Sequence, residues 1–327
     1  VTISPSDRIG DHIPFPDTID STMLGTFRSC PQKYFRTYMQ HYKPRGESVH
    51  LIAGGAFAEG LEYARKAFYI DGKTDREAEA AGLVALIRKY GDFQPPIESP
   101  KSLERVAGAL AFYFDRYPLG QDGAIPIDRQ GVRGIEYSFA EPLPFAHPQT
   151  GDPILYTGRS DLLADFAGGR YAFDEKTTTS LGATWGAQWD MRSQFTGYCW
   201  ASSQSGYPLN GVVVRGVSIL KTQYDTQQVL TYRPALMLDQ WERQVVRDLE
   251  RLRKCWEEDY FDFNLDHACT EYGGCSLKRV CTSPDPQSWL DTDFEIRIWD
   301  PLKREEVAVN PREYVEEHIE LVIGRQA

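Results

Sequence analysis

The sequence predicts an α/β or α+β domain built round a mixed sheet, and three observations lead to it. Helical spacing runs from Ser21 to about residue 117, the apolar period falls to two from about Arg133, and a helical stretch then separates those strands from two more. The 327 residues are 41% apolar and 13% aromatic, which is enough for a large packed core.

The opening twenty residues, rich in Pro and Asp, read as an arm. In STMLGTFRSCPQKYFRTYMQHY, Ser21 is the expected N-cap and Leu24, Phe27, Tyr34, Phe35 and Tyr38 recur at helical spacing. Pro31 breaks this run or starts a second helix. AGGAFAEGLEYARKAFY reads as a helix with Phe57, Leu61, Ala64 and Phe68 on one face, and residues 75–117 continue helical apart from a break at DFQPPIESP. GIEYSFAEPLPF, PILYTGRSDLLADF and RYAFDEKTTT then form three successive strand candidates, joined at HPQTGD and AGG. A helix is expected from about Trp185 to Ser203, followed by strands in NGVVVRGVSILKT and QQVLTYRP. From Ala235 to Tyr260 the spacing of Leu238, Trp241, Val245, Leu249, Leu252 and Trp256 is that of an amphipathic helix. FEIRIWDP adds one or two strands ahead of an acidic end.

A net charge of −11 argues against a protein that coats nucleic acid through bulk positive charge. It leaves a local basic groove open, because chemistry with divalent cations on phosphodiesters itself gathers carboxylates. No run of 18 apolar residues occurs, and the first residues lack the basic-then-apolar order of a secretory signal. A cytoplasmic protein with no membrane partner is therefore expected. Six cysteines in such a chain argue against a disulfide framework.

The strand RYAFDEKTTT carries the most informative residues. Alternation puts Asp174 and Lys176 on one face and Glu175, with Phe173, on the other. If the strand before it pairs across a turn at Gly168 and Gly169, Asp161 joins the face of Asp174. Two carboxylates that close repel unless a divalent cation lies between them, and Mg²⁺ suits such oxygen donors. A lysine beside the cation can orient an attacking water and neutralise charge building on a phosphate. The plainer alternative is a set of exposed residues making ordinary cross-strand ion pairs. Asp71-Gly72-Lys73 repeats the acid-to-lysine spacing, but in a turn, and is expected to be a solvated loop.

Gln194 and Tyr198, four apart in QFTGY, share a helix face, with a helix residue and a core aromatic as the plain alternative. Together with STMLGTFRSCPQKYF, GRSDLL, FDEKT and the late cysteines, this order of motifs resembles the PD-(D/E)XK nuclease superfamily, in its RecB-like branch with an iron-sulfur cluster. That branch includes CRISPR-adaptation nucleases, helicase-nuclease subunits and exonucleases of phages and prophages. The resemblance runs from about Ser21 to Cys281 and implies a restriction-endonuclease-like core. It further implies that Asp161 and Asp174 hold Mg²⁺ or Mn²⁺ with the backbone carbonyl of Glu175, that Lys176 is catalytic, and that Gln194 and Tyr198 bind DNA and support the site. The activity implied is a metal-dependent DNase. An exonuclease on single-stranded or end-bearing DNA is expected, serving recombination, repair or phage DNA processing, with a helicase or recombination partner.

One departure stands out. The histidine that this branch carries on its early helix is replaced by Ala58 in GGAFAEGLE. Glu62 is the preferred oxygen donor in its place, with Glu59 second and His50 a remote candidate.

Cys269, Cys275 and Cys281 have five residues between neighbours, unlike the tight CxxC pairs of common zinc folds. In the family resembled, an early cysteine before a proline, here Cys30, joins three late ones around a [4Fe-4S] cluster. Zinc is the rival ligand, and Gly273 and Gly274 would permit the tight loop. Cys199 and Cys255 are expected to be small buried apolar residues. Such a ligand set would staple residues 21–281 into a single domain, with 1–20 as arm and 282–327 as an extension packed on it. Lys278 and Arg279, with Arg28, Lys33 and Arg36, would then line the DNA path. Two other classes remain open at this point: a nuclease-fold protein that only grips DNA or a helicase, and a protein with structural zinc.

Overall fold

A computed structural model describes residues 13–46, 48–129, 131–265, 267–270 and 274–308. The expected arm and C-terminal extension therefore lie partly outside the described residues. No helix among the described residues is long and apolar enough to cross a membrane. The chain divides into two compact units, one of residues 47–139 and 159–241, the other of 1–46, 140–158 and 242–327.

The first unit begins with three helices, α1 (Val49–Tyr69), α2 (Asp75–Tyr90) and α3 (Leu103–Arg116). Local chemistry sets their ends. Thr74 and Glu77 form a capping box at the start of α2, and the Ser102 side chain accepts from Arg105 N at the start of α3. Helices α1 and α2 meet backbone to backbone: a Cβ on Gly82 would lie 2.5 Å from the Gly60 carbonyl oxygen, so only glycine allows this crossing.

The sheet follows in strands β1 (Ile135–Ala146), β2 (Pro153–Phe166) and β3 (Gly169–Thr178), then helix α4 (Ser193–Gln204), then β4 (Gly211–Ile219) and β5 (Tyr224–Tyr232). Strands β1 and β2 give residues 135–139 and 159–166 to this unit. The order is β2-β3-β4-β5, with β1 also paired to β2. Neighbours β2 and β3 run antiparallel, β3 and β4 parallel, β4 and β5 antiparallel. The parallel step needs a crossover, and α4 supplies it. Every residue of β4 is buried, as befits a central strand. Val217 and Ile219 pack with the α1, α2 and α3 core, while Ala172, Val212 and Val214 pack with Phe195, Tyr198 and Cys199 of α4. This is a mixed sheet flanked by helices, the restriction-endonuclease-like arrangement.

Two expectations shift. The turn between β2 and β3 is centred on Ala167 and Gly168, with φ of 49° and 78°, because Phe166 pairs with Gly169. Two residues of positive φ match the twist of the strands they join, even though one of them is alanine. The helix expected from Trp185 to Ser203 is instead two, Ala183–Ala187 and α4. Arg233 bridges the break, its Nη2 donating to the Trp189 carbonyl at 2.8 Å and its Nε to Thr196 Oγ1 at 3.0 Å.

In the second unit Ser21–Ser29 is helical, and its cap is Asp20 rather than Ser21. The Asp20 carboxylate accepts from Thr22 N at 2.7 Å and Met23 N at 2.8 Å, and its other oxygen accepts from Trp299 Nε1 at 2.8 Å. Pro31 opens the short helix Pro31–Tyr34, at a position where a missing N–H costs nothing. Strand Phe294–Asp300 lies between Tyr42–Pro44 and Glu305–Ala308. Leu277, Val280, Leu290 and Phe294 form its C-terminal core.

Candidate active site

The register Leu162 to Phe173 across β2 and β3, carried one residue further, sets Asp161 level with Asp174. Asp161 Oδ2 accepts the Glu175 N–H at 2.9 Å, and Lys176 Nζ lies 2.5 Å from Asp174 Oδ2. Burial pushes the Asp161 carboxyl well above the ordinary range, and Asp174, Glu136 and Glu175 push it further. Burial also raises Asp174, with Lys176 pulling it back. For Lys176 burial disfavours the charge, but Asp174 and Asp161 outweigh it and hold the ammonium above its usual range. Partial burial alone would have done the opposite.

Glu175 faces the helices. Its carboxylate is ion-paired with Arg65 of α1, both side chains almost fully buried, and accepts from Tyr113 Oη at 3.0 Å. Burial works to raise the Glu175 carboxyl, but Arg65, Arg215 and the Tyr113 hydroxyl together draw it below its usual value. Arg215 of β4 extends the network, reaching Asp122 at 2.6 Å and Tyr113 Oη at 3.2 Å. The Glu175 side chain is thus committed to the fold, leaving only its backbone carbonyl as the expected cation donor.

Gly54, Ala58 and Arg65 fall within about 40° of one another on α1. A Cβ on Gly54 would lie 3.7 Å from Thr177 Oγ1, and Arg65 pairs with Glu175, so this stripe faces β3. Ala58 sits on that stripe and is exposed, a methyl where an imidazole would reach the site. Glu62 is paired with Lys66 at 2.5 Å and lies close enough to act on Glu136. Glu59 lines a groove with Glu77 and Arg88 on the α2 side, and His50 is exposed on the first turn of α1. Asp71, Gly72 and Lys73 are exposed in a turn.

Two residues near the carboxylates were missed in the sequence. Glu136 of β1 acts on Asp161 and is ion-paired with Arg159 at 2.7 Å. Burial, offset in part by Arg159, raises its carboxyl to about 7. Arg192, just before α4, lies near enough to act on both Asp174 and Lys176. The available signal for it was an arginine two residues before Gln194, in MRSQFTGY. On α4 itself Gln194 Nε2 donates to Tyr198 Oη at 2.7 Å, and Tyr198 is buried against Phe139 and Phe195.

All four expected cluster cysteines fall in the second unit. Cys275 N donates to the Cys269 carbonyl at 3.2 Å, and burial, then Cys275, Cys30 and Cys269, push the Cys281 thiol up. Arg36 is lowered by burial and restored in part by Tyr42 and Cys281. Arg28 is paired with Asp248 at 2.7 Å, Lys33 is half-buried, Lys278 is exposed, and Arg279 lies over the Trp289 ring at 5.1 Å. Cys199 and Cys255 are buried.

Among the described residues, no three Cys, His, Asp or Glu side chains are drawn into a ready coordination shell. The carboxylates nonetheless fit a hard cation. Asp174 Oδ2 is buried and met by Lys176 Nζ at 2.5 Å, and Asp161, which accepts the Glu175 N–H, has no ion pair of its own among the described residues, so both carboxylates offer hard oxygen donors.

Comparison with solved structures finds a candidate exonuclease from Eubacterium rectale (13% identity, 82% of this chain and 92% of that one, TM-score 0.46). It also finds SSO0001 (14%, 61% and 74%, 0.29) and LHK-Exo in complex with dAMP (15%, 62% and 94%, 0.24). No curated protein matches. The sequence model of the PD-(D/E)XK nuclease superfamily matches residues 21–282. Because that match runs from the first helix through the last of the clustered cysteines, the chain belongs to the PD-(D/E)XK nuclease superfamily.

Proposed function

We infer that this nuclease is a divalent-cation-dependent DNase acting at DNA ends. The observation that carries the reading is that Asp161 Oδ2 accepts the N–H of Glu175, next to Asp174, at 2.9 Å, with Lys176 Nζ 2.5 Å from Asp174 Oδ2. Asp161, Asp174 and the Glu175 carbonyl would hold Mg²⁺ or Mn²⁺, which when bound supplies positive charge to the phosphate and acidifies a water. The chain's own residues do the rest. Lys176, fixed by Asp174, sets a positive charge where negative charge builds on the phosphate and can orient the attacking water. Arg192 adds a second positive charge beside Asp174, suited to a backbone phosphate. Gln194, tied to Tyr198, gives α4 a fixed polar edge for the strand being cut.

The test is digestion of end-labelled linear and closed circular DNA with Mn²⁺, with Mg²⁺ and with a chelator. Linear DNA should be degraded only with a cation, and covalently closed duplex should persist. Protein that leaves both substrates intact at every cation concentration would sink the reading and leave a DNA-binding protein on a nuclease fold.

Cys30, Cys269, Cys275 and Cys281 are proposed to hold a [4Fe-4S] cluster. Cys275, Cys30 and Cys269 all act on the Cys281 thiol, and the five-residue spacing of the late three, unlike the tight pairs of common zinc folds, supports this over zinc. Protein purified without oxygen should contain iron and acid-labile sulfide in equal amounts, and Cys281→Ser should lower both. Colourless protein containing zinc would overturn it.

A further inference from the structure

Backbone pairing between β2 and β3 ends at Leu162 and Phe173. Just beyond it a side chain takes over from the ladder, the Glu175 N–H donating to Asp161 Oδ2 at 2.9 Å. On an extended strand the N–H and C=O of one residue leave by the same edge, so the Glu175 carbonyl is turned to the Asp161 side as well. Glu175 therefore meets the site with both of its backbone groups. Whatever fixes this residue fixes them.

What fixes it lies behind the strand. The Glu175 carboxylate accepts from Arg65 Nη1 at 3.2 Å on one oxygen and from the Tyr113 hydroxyl at 3.0 Å on the other. Tyr113, on α3, is 1% exposed, and its oxygen also accepts from Arg65 Nη2 at 3.4 Å and Arg215 Nη1 at 3.2 Å. A hydroxyl has one donor and two acceptor sites, so these contacts use it completely. Arg215 is the β4 residue in register with Glu175, and it is held in turn by Asp122 at 2.6 Å and Gln228 at 2.9 Å. One hydroxyl thus joins α1, α3 and β4 to a single residue of β3. A buried tyrosine needs some partner for its oxygen, but packing alone does not require two guanidiniums and the carboxylate whose own peptide borders the site.

We propose that Tyr113 is a positioning residue for the cation site: by tying Arg65 and Arg215 to Glu175, it fixes the peptide that holds Asp161 and offers the carbonyl donor. The proposal rests on the reading of Asp161 and that carbonyl as cation donors. Tyr113 acts only through Glu175. Without its hydroxyl the carboxylate is left to Arg65, and the two guanidiniums lose the acceptor they share.

The test measures Mn²⁺ binding directly, without DNA or turnover, on chelator-stripped protein by electron paramagnetic resonance of free Mn²⁺, beside a urea titration of each variant. Tyr113→Phe, which removes one oxygen and keeps the ring, should weaken Mn²⁺ binding about tenfold. Asp161→Asn should weaken it by about tenfold or more. Val106→Ala opens a cavity in the same buried face of α3, about two turns before Tyr113. It should lower the urea midpoint yet leave Mn²⁺ affinity within about twofold of wild type, because it removes no contact to Glu175. Wild-type affinity in Tyr113→Phe, or an equal loss in Val106→Ala, overturns the positioning role, and spares the cation site when Asp161→Asn binds poorly. Wild-type affinity in Asp161→Asn overturns the site itself and the role of Tyr113 with it. If Tyr113→Phe does not fold, Arg215→Lys takes its place, since an ammonium lacks the planar fork that serves Tyr113, Asp122 and Gln228 together. Unchanged Mn²⁺ affinity in that variant would likewise overturn the proposal.

Discussion

Lys176→Ala is expected to slow DNA hydrolysis by about a thousandfold while the protein stays folded. The size follows from what the ammonium does. Lys176 is ion-paired with Asp174 and also acted on by Asp161, and its side chain is 35% exposed, so it faces the open side of the site rather than a packed core. Removing it deletes positive charge where negative charge grows on the phosphate. It also leaves Asp174 without its ion-pair partner, and a buried carboxyl in that position meets the loss by taking a proton. Single-turnover digestion of saturating linear DNA, beside circular dichroism of the same preparation, checks this. A folded Lys176→Ala protein as fast as wild type would end the mechanism.

Arg65→Met is expected to cost about 3–5 kcal/mol of folding stability, the second large effect. Methionine fills most of the arginine's volume, so the loss is electrostatic and not a cavity. Glu175 would keep Tyr113 and the more distant Arg215, but lose the guanidinium that holds its carboxyl ionised in an almost fully buried place. The double change Arg65→Met with Glu175→Met should recover most of the loss, because two apolar side chains replace a pair that is costly to bury. Urea titrations of the three variants decide it. A loss below about 1 kcal/mol in the single variant would show that Glu175 does not depend on Arg65.

The core of the site could be read from the chain because the hairpin obeys strict alternation. In RYAFDEKTTT the period of two assigns Asp174 and Lys176 to one face and Glu175 to the other, and the observed partners, Lys176 to Asp174 and Glu175 to Arg65, follow that division. Glu136 was hidden for the same reason. GIEYSF looks like unbroken alternation, and nothing local marks a glutamate at positive φ that turns the strand over. The break between Ala187 and Ser193 was hidden because the residue that bridges it, Arg233, lies some forty residues away, just past β5. The Asp20 cap was missed by one residue, since aspartate and serine are equally good caps and only the backbone distinguishes them. Arg28 shows the limit of reading charge as a DNA footprint, since its guanidinium is already engaged by Asp248.

The bare contact between Gly60 and Gly82 has a consequence for catalysis at a distance. The helix that meets its neighbour there also carries Arg65, barely more than a turn beyond the pivot. One added methyl at Gly82 has nowhere to go except against the Gly60 carbonyl, so α1 must back away and lever Arg65 off Glu175. The strand bearing Asp174 and Lys176 would lose its anchor, and chemistry would falter through a change that meets neither cation nor DNA.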